Sequence, residues 1–267
     1  MTAYTYLQTR REDAALVAVM SNPPRHTLNA AMVEELHALA DEIAGDASVR
    51  ALILTGGADG TFITHYDVGE LAGVSDAART RDSVGAGPEL HRMHKLLLKL
   101  QALPQPVIAA INGTAMGGGC ELALACDFRL MAAGDGVIGL PEVRVGILPG
   151  AGGTQRMTRL LGTAKALEMM LLGETVDAVE AERIGLLHRA VEASRLMEEA
   201  LVLAAELAAR PALSVALIKQ CVLQGAQLPL EDGLRFEQER FWRTMRSEDA
   251  GRLMRAYLQS NTRLDQQ

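Results

Sequence analysis

Three consecutive glycines, Gly117, Gly118 and Gly119, separate two apolar runs, and this junction restricts the fold of the 267-residue chain more than any other stretch. Before it, Val107–Ile111 reads as a buried strand followed by an Asn112-Gly113 turn. After it, Glu121–Cys126 reads as a buried helix with a carboxylate at its start. Glycine lacks a Cβ, so its amide can face a ligand at close range, and it carries an entropic cost that plain capping does not require. Bare donors at a helix N-terminus favour negative charge. A carboxylate beside them is placed to handle a proton. Further along, Leu140-Pro141-Glu142 supplies a second acid in a helix-start pattern. The pair points to chemistry in which an oxyanion forms while a proton or a water is handled nearby.

The rest of the chain alternates strands and helices. Ala15–Met20 and Ala51–Thr55 are short apolar runs of the kind found in parallel strands covered on both faces. Asn29 is placed to cap a helix over 31–44, where Met32, Val33, Leu36, Leu39, Ala40 and Ile43 follow helical spacing. A loop holding Phe62 to Val68 precedes a variable polar region through about Pro88, and His91–Leu103 reads as helical. Phe128–Ala132 reads as another strand. From Gly150 onward the pattern turns helical, through segments 157–161, 164–172, 178–184, 193–210, 213–224, 230–245 and 248–258. This order predicts an α/β architecture with a largely parallel sheet. We expect a core over 1–195 and a helical region over 196–267 that takes part in oligomerisation.

Composition removes several function classes. Aromatics are 3% of the residues, too few for the stacking platforms of single-stranded nucleic-acid binding. The net charge of −7, with no long cluster of Lys and Arg, speaks against a DNA-binding face. Cys120, Cys126 and Cys221 are too irregularly spaced for a disulfide framework or a zinc site, and no metal is expected. His91 and His94 share a helical face but lack a third ligand, so a solvated surface is the expectation. No basic leader precedes an apolar stretch and no apolar run reaches membrane length, so a soluble cytoplasmic protein is expected.

Taken together, Leu28-Asn29-Ala30, Ala51–Thr55 with Phe62 and Asp67-Val68, the stretch Ile111–Asp127, and Pro141-Glu142 through Arg159 resemble the crotonase superfamily, particularly its enoyl-CoA hydratase/isomerase branch. Gly162 and Ala181–Leu186 continue the match. The resemblance implies a spiral of ββα units with a helical C-terminal region, assembled as a homotrimer or a hexamer. It implies an acyl-CoA thioester substrate, with coenzyme A as part of the substrate and no separate cofactor. By position, the thioester oxygen would lie between the amides of Tyr66 and Gly118, and the two catalytic glutamates would be Glu121 and Glu142. Substrate contacts would come from Arg25, Thr27, Thr64, Tyr66, Asp67, Val68, Met116, Gly117, Gly118 and Pro141.

One departure stands out. Where the family carries small residues around a glycine before the aspartate, this chain has Thr64-His65-Tyr66, and Gly69 replaces a lysine often found after it. A reshaped pocket is therefore expected, with Tyr66 donating its amide and its ring and His65 shaping the acyl or pantetheine end. The expected reaction is addition of water across the C2–C3 double bond of a 2-enoyl-CoA. The alternatives are an enoyl-CoA isomerase, which needs one dominant acid/base, and a non-catalytic acyl-CoA binding protein.

Overall fold

The computed structural model describes residues 4–79, 89–260 and 263. Its six-stranded sheet has the order β1 (Leu7–Glu12), β2 (Ala15–Met20), β3 (Ala51–Gly56), β5 (Val107–Ile111), β7 (Phe128–Ala133), β10 (Arg189–Glu192). Only the β1–β2 pair is antiparallel there; the other pairs are parallel. A four-stranded sheet runs β4 (Gly60–Ile63), β6 (Gly113–Met116), β8 (Ile138–Gly139), β9 (Thr175–Val176).

The two sheets share one connectivity. β3 leads to β4, β5 to β6 and β7 to β8, and each second strand is followed by helix. Because β3, β5 and β7 are neighbours in the large sheet and β4, β6 and β8 in the small one, the chain advances as a spiral of ββα units. That is the architecture anticipated from the sequence.

Strand alternation supplies two cores. In β3, Leu52 and Leu54 join the main cluster while Ala51 and Ile53 face a second one; in β5, Val107, Ala109 and Ile111 divide in the same way from Ile108 and Ala110. Successive strand side chains point to opposite faces, so strands covered on both sides must be apolar throughout. The main cluster is closed by α1 (Ala30–Ala44), α3 (Arg92–Ala102) and α4 (Gly118–Ala125). The Asn29 side chain caps α1 by accepting from Met32 N at 2.8 Å. The second cluster is closed by α8 (Leu196–Ala208), whose Leu196, Ala200 and Ala204 are buried on the sheet.

Three expectations need correction. Residues 68–79 form a helix, α2 (Val68–Arg79), where a polar loop was anticipated; the rest of that region, 80–88, lies outside the described residues. Asp67 starts α2 by accepting from Glu70 N at 3.0 Å, while no α2 residue is fully buried, so no apolar period announces it. Asn112 is a brace between the sheets, not a turn tip: its side chain accepts from Gly56 N and donates to Gly56 O and Ala58 O. The region after Gly150 is not wholly helical. Between α5 (Gly153–Leu161), α6 (Thr163–Leu172) and α7 (Ala178–Arg183) and the helix α8 it contributes β9 and β10, strands of two and four residues that are too short to show a period. On α8, Leu201, Leu203 and Leu207 also pack against the second cluster. Beyond α8, large apolar side chains are left exposed on α9 (Ala212–Leu223), α10 (Leu230–Met245) and α11 (Glu248–Gln259), among them Ile218, Val222, Phe241, Trp242 and Leu258.

A buried ion pair ties α9 to the end of the sheet. Lys219 Nζ lies 2.6 Å from Asp127 Oδ2, and the same carboxyl oxygen accepts from Val107 N at 2.7 Å. Burial pushes the Asp127 carboxyl up, and the Lys219 charge opposes that shift. Removing one partner of such a pair strands a charge. Lys219→Met should therefore cost about 3–5 kcal/mol in urea unfolding at neutral pH, with part recovered by adding Asp127→Asn. A loss too small to resolve would show that the pair does not hold α9 in place.

Candidate active site

The triple glycine links β6 to α4, and each glycine admits a different neighbour. A Cβ on Gly117, which has φ of +50°, would stand 3.0 Å from Glu142 Oε1. One on Gly118 would stand 3.2 Å from Tyr66 Cβ and 3.3 Å from Tyr66 N. One on Gly119 would collide with the carbonyl oxygen of Ile63 at the end of β4. The helix begins at Gly118, so Glu121 lies inside the first turn of α4 and not at its first residue as anticipated.

The loop before α2 spends its polar groups on the scaffold. Leu28 N donates to His65 O at 2.9 Å, Asp67 N to Leu28 O at 2.7 Å and Met116 N to Thr64 O at 3.2 Å. Thr64 Oγ1 donates to Arg25 O at 2.7 Å, which draws the exposed Arg25 beside the loop. Thr27, buried, donates from Oγ1 to Asp67 Oδ2 at 3.3 Å. His65 Nδ1 lies 2.7 Å from Tyr66 O, so that ring nitrogen carries the proton. The Tyr66 phenol faces the Glu70 carboxylate, which itself accepts from Ala30 N at 3.1 Å at the start of α1. Burial and then Glu70 push the phenol well above its ordinary value. Thr27, Thr64 and the aspartate thus brace the loop from below. What remains is a pair of amides, Tyr66 N and Gly118 N, that have no acceptor among the described residues and lie side by side.

The two carboxylates occupy unlike environments. Glu121 is 3% exposed, and its Oε1 accepts from Ala151 N at 2.7 Å and from Gly153 N at 2.8 Å, at the N-terminus of α5. Burial raises its carboxyl, while the two amides and then the Arg156 charge pull it back toward ionisation. Glu142 opens a short 3-10 turn, 142–145, after Pro141. Its Oε2 is buried with no hydrogen-bond partner among the described residues. Burial, reinforced by the Glu121 charge, pushes Glu142 up to about 7. Two acids whose surroundings separate their proton affinities can divide the work of base and acid. Val68, Met116 and Pro141 are partly exposed or exposed around this site. Among the described residues no group of three His, Cys, Asp or Glu side chains converges as metal ligands would.

Sequence reasoning missed the groups that hold Glu121: the amides of Ala151 and Gly153, and Arg156. The signal was present in Pro149-Gly-Ala-Gly-Gly153, because a run of glycines before a helix is suited to amides that approach an anion. His91 and His94 are also not a plain solvated face. His91 bonds to the same loop, with Nε2 2.8 Å from Gly150 O.

Comparison with known proteins bears on the fold and the family. The sequence pattern of the enoyl-CoA hydratase/isomerase family matches residues 10–263. The chain is 34% identical over 250 residues to the short-chain-enoyl-CoA hydratase of Clostridium acetobutylicum, covering 93% of each protein. It is 33% identical over 258 residues to the crotonyl-CoA hydratase of Syntrophomonas wolfei, covering 96% of each. Among solved structures, an enoyl-CoA hydratase subunit of Geobacillus kaustophilus superposes with a TM-score of 0.87 at 35% identity, over 97% of this chain and 96% of that one.

The Glu142 environment has a consequence for stability. Its carboxyl rises from 4.5 to about 7 on folding, so the folded state holds the proton more tightly than the unfolded chain. Its contribution is therefore fully present below 4.5 and is lost as pH rises through about 7. Glu142→Gln should raise the melting temperature at about pH 8 and leave it nearly unchanged at about pH 4, because site groups are held at a cost to stability. A variant less stable than the parent at the higher pH would contradict the buried, unpartnered carboxyl.

Proposed function

Because the chain belongs to the enoyl-CoA hydratase/isomerase family, we propose that it adds water across the C2–C3 double bond of a 2-enoyl-CoA thioester. The observation that carries this reading is the second carboxylate. Glu121 and Glu142 bear on each other electrostatically, and one is gripped by amides while the other has none beyond its own backbone. Double-bond migration needs one dominant acid/base; hydration must activate a water and also protonate carbon.

In this reading the thioester oxygen accepts from Tyr66 N–H and Gly118 N–H. Two fixed amide dipoles stabilise the enolate as it forms, and losing one such donor costs roughly 3–4 kcal/mol. The same polarisation makes the β-carbon electrophilic. Glu121, ionised, orients a water and takes its proton as the oxygen bonds to the β-carbon. Glu142, protonated, delivers its proton to the α-carbon as the enolate collapses. The β-carbon receives the water's hydroxyl and the α-carbon the Glu142 proton, and the proton taken by Glu121 then passes back to Glu142 through solvent to restore the starting state. No cofactor enters this scheme. Arg25 is the proposed contact for the coenzyme A phosphates; Val68, Met116, Gly117 and Pro141 are proposed around the pantetheine and acyl chain. Tyr66 contributes through its backbone, and its phenol is engaged toward Glu70.

Incubation of the purified protein with 2-enoyl-CoA esters of graded length should remove the conjugated double bond with gain of one water. Glu121→Gln and Glu142→Gln should each slow this on the order of 100- to 10,000-fold with ester binding largely kept. The double variant should fall short of the product of the two losses, because both groups act on one water. Migration of the double bond without gain of mass would assign the isomerase reaction, and binding without turnover would assign an acyl-CoA binding protein.

We also propose a homotrimer or hexamer, supported by the exposed apolar side chains of α9, α10 and α11, which a lone chain would leave in water. Sedimentation should give a trimer or a hexamer; a stable, active monomer at micromolar concentration would contradict this.

A further inference from the structure

The loop that holds Glu121 is itself held from the other side. Gly150 O and Ala151 N belong to one peptide unit. The oxygen faces His91 Nε2 at 2.8 Å, and the amide donates to Glu121 Oε1 at 2.7 Å. A carbonyl oxygen only accepts, so His91 Nε2 carries the proton and donates. Hydrogen bonds at the two ends of one peptide polarise each other and strengthen both.

The next carbonyl is gripped as well. Arg156 Nη1 donates to Ala151 O at 3.1 Å, and its Nη2 donates to Gln101 Oε1 at 2.8 Å on α3. Gly152, at φ of +97°, leaves open the space that a Cβ would fill, and the Arg156 guanidinium occupies it. His94 packs on His91 with ring centroids 3.9 Å apart. His94 Nδ1 and Arg156 Nε are buried without hydrogen-bond partners among the described residues. This layer is costly to bury, and nothing in the acid/base scheme above uses it.

We propose that His91 and Arg156 are positioning residues that hold Glu121 as the charged member of the carboxylate pair, by gripping the two carbonyls of the loop whose amides grip its carboxylate. Two effects act together. The His91 donor strengthens the Ala151 amide, and the Arg156 charge favours the carboxylate directly. The other groups facing Glu121 are Glu142, whose own carboxyl the Glu121 charge pushes up, and Cys120 beside it in α4, whose buried thiol is pushed well up. His94 stands behind His91, its proton affinity lowered by burial and then by the His91 and Arg156 charges. The catalytic consequence rests on the hydratase reading; the control of Glu121 does not.

The test is a carbon-13 NMR titration of the full-length protein carrying labelled glutamate carboxyls, with Glu121 identified by the resonance lost in Glu121→Gln. Arg156→Gln removes the charge and should raise the Glu121 midpoint by about one pH unit. His91→Leu removes the donor at an exposed residue and should raise it by roughly a few tenths of a unit. Arg156→Lys and His91→Gln should restore most of the parent midpoint. In kcat/KM profiles the acid limb should move up by the same amounts while KM for the ester stays. Should Arg156→Gln fail to fold, His91→Leu decides. An unchanged Glu121 midpoint in a folded Arg156→Gln or in His91→Leu overturns the proposal. NMR shifts as predicted in a protein whose parent form hydrates no enoyl-CoA would overturn the hydratase reading alone.

Discussion

Close backbone contact at the triple glycine is the constraint on which the site depends. Gly119 lets α4 rest on the carbonyl end of β4, Gly118 lets the backbone of Tyr66 come alongside, and Gly117 leaves room for the Glu142 carboxylate. Each contact lies at or inside the distance at which a methyl group would force a neighbour to move. The entropic cost of three flexible residues is thus offset by a joint that lets the Tyr66 backbone and the Glu142 carboxylate each approach a neighbouring glycine. The remaining fold serves to present that joint. The ββα repeat places β4, β6 and β8 side by side, so that the loop of Tyr66, the start of α4 and the turn of Glu142 emerge at neighbouring strand ends.

The second organising feature is the asymmetry of the carboxylates. Both are buried enough to resist ionisation, yet only Glu121 receives two amide hydrogen bonds and a guanidinium charge. Glu142 has neither, and the Glu121 charge adds to its reluctance to ionise. The groups around Glu121 favour its charged form, and those around Glu142 favour its neutral form. Identical side chains thereby sit in unlike surroundings, and the difference resides in the loop 150–153 and not in the acids themselves, as the proposed division of base and acid requires.

Much of the fold was legible because its signals are local. Asn29 ahead of a helical apolar period, and the continuous apolar runs of β2, β3 and β5, each report their own element without help from distant residues. The parts that were not legible depend on tertiary contact. β9 and β10 are two and four residues long and exist only through pairing with β8 and β7. Helix α2 buries no residue completely, and the local mark of its start is the Asp67 carboxylate that accepts from Glu70 N. At the site, the acids and the glycines could be read from residue type and spacing. The amides holding Glu121 left only the glycine run 149–153 as a mark, and that run names no carboxylate as its partner, because the pairing is made in the fold. The Tyr66 phenol was expected to shape the acyl pocket; its engagement by Glu70 depends on α2, the element the sequence concealed.

A structure with a bound, slowly reacting enoyl-CoA analogue tests the central claim most directly. The account predicts the thioester oxygen about 2.7–3.1 Å from both Tyr66 N and Gly118 N, with the carboxylates of Glu121 and Glu142 facing the C2–C3 bond. A carbonyl oxygen beyond hydrogen-bond reach of both amides would contradict it.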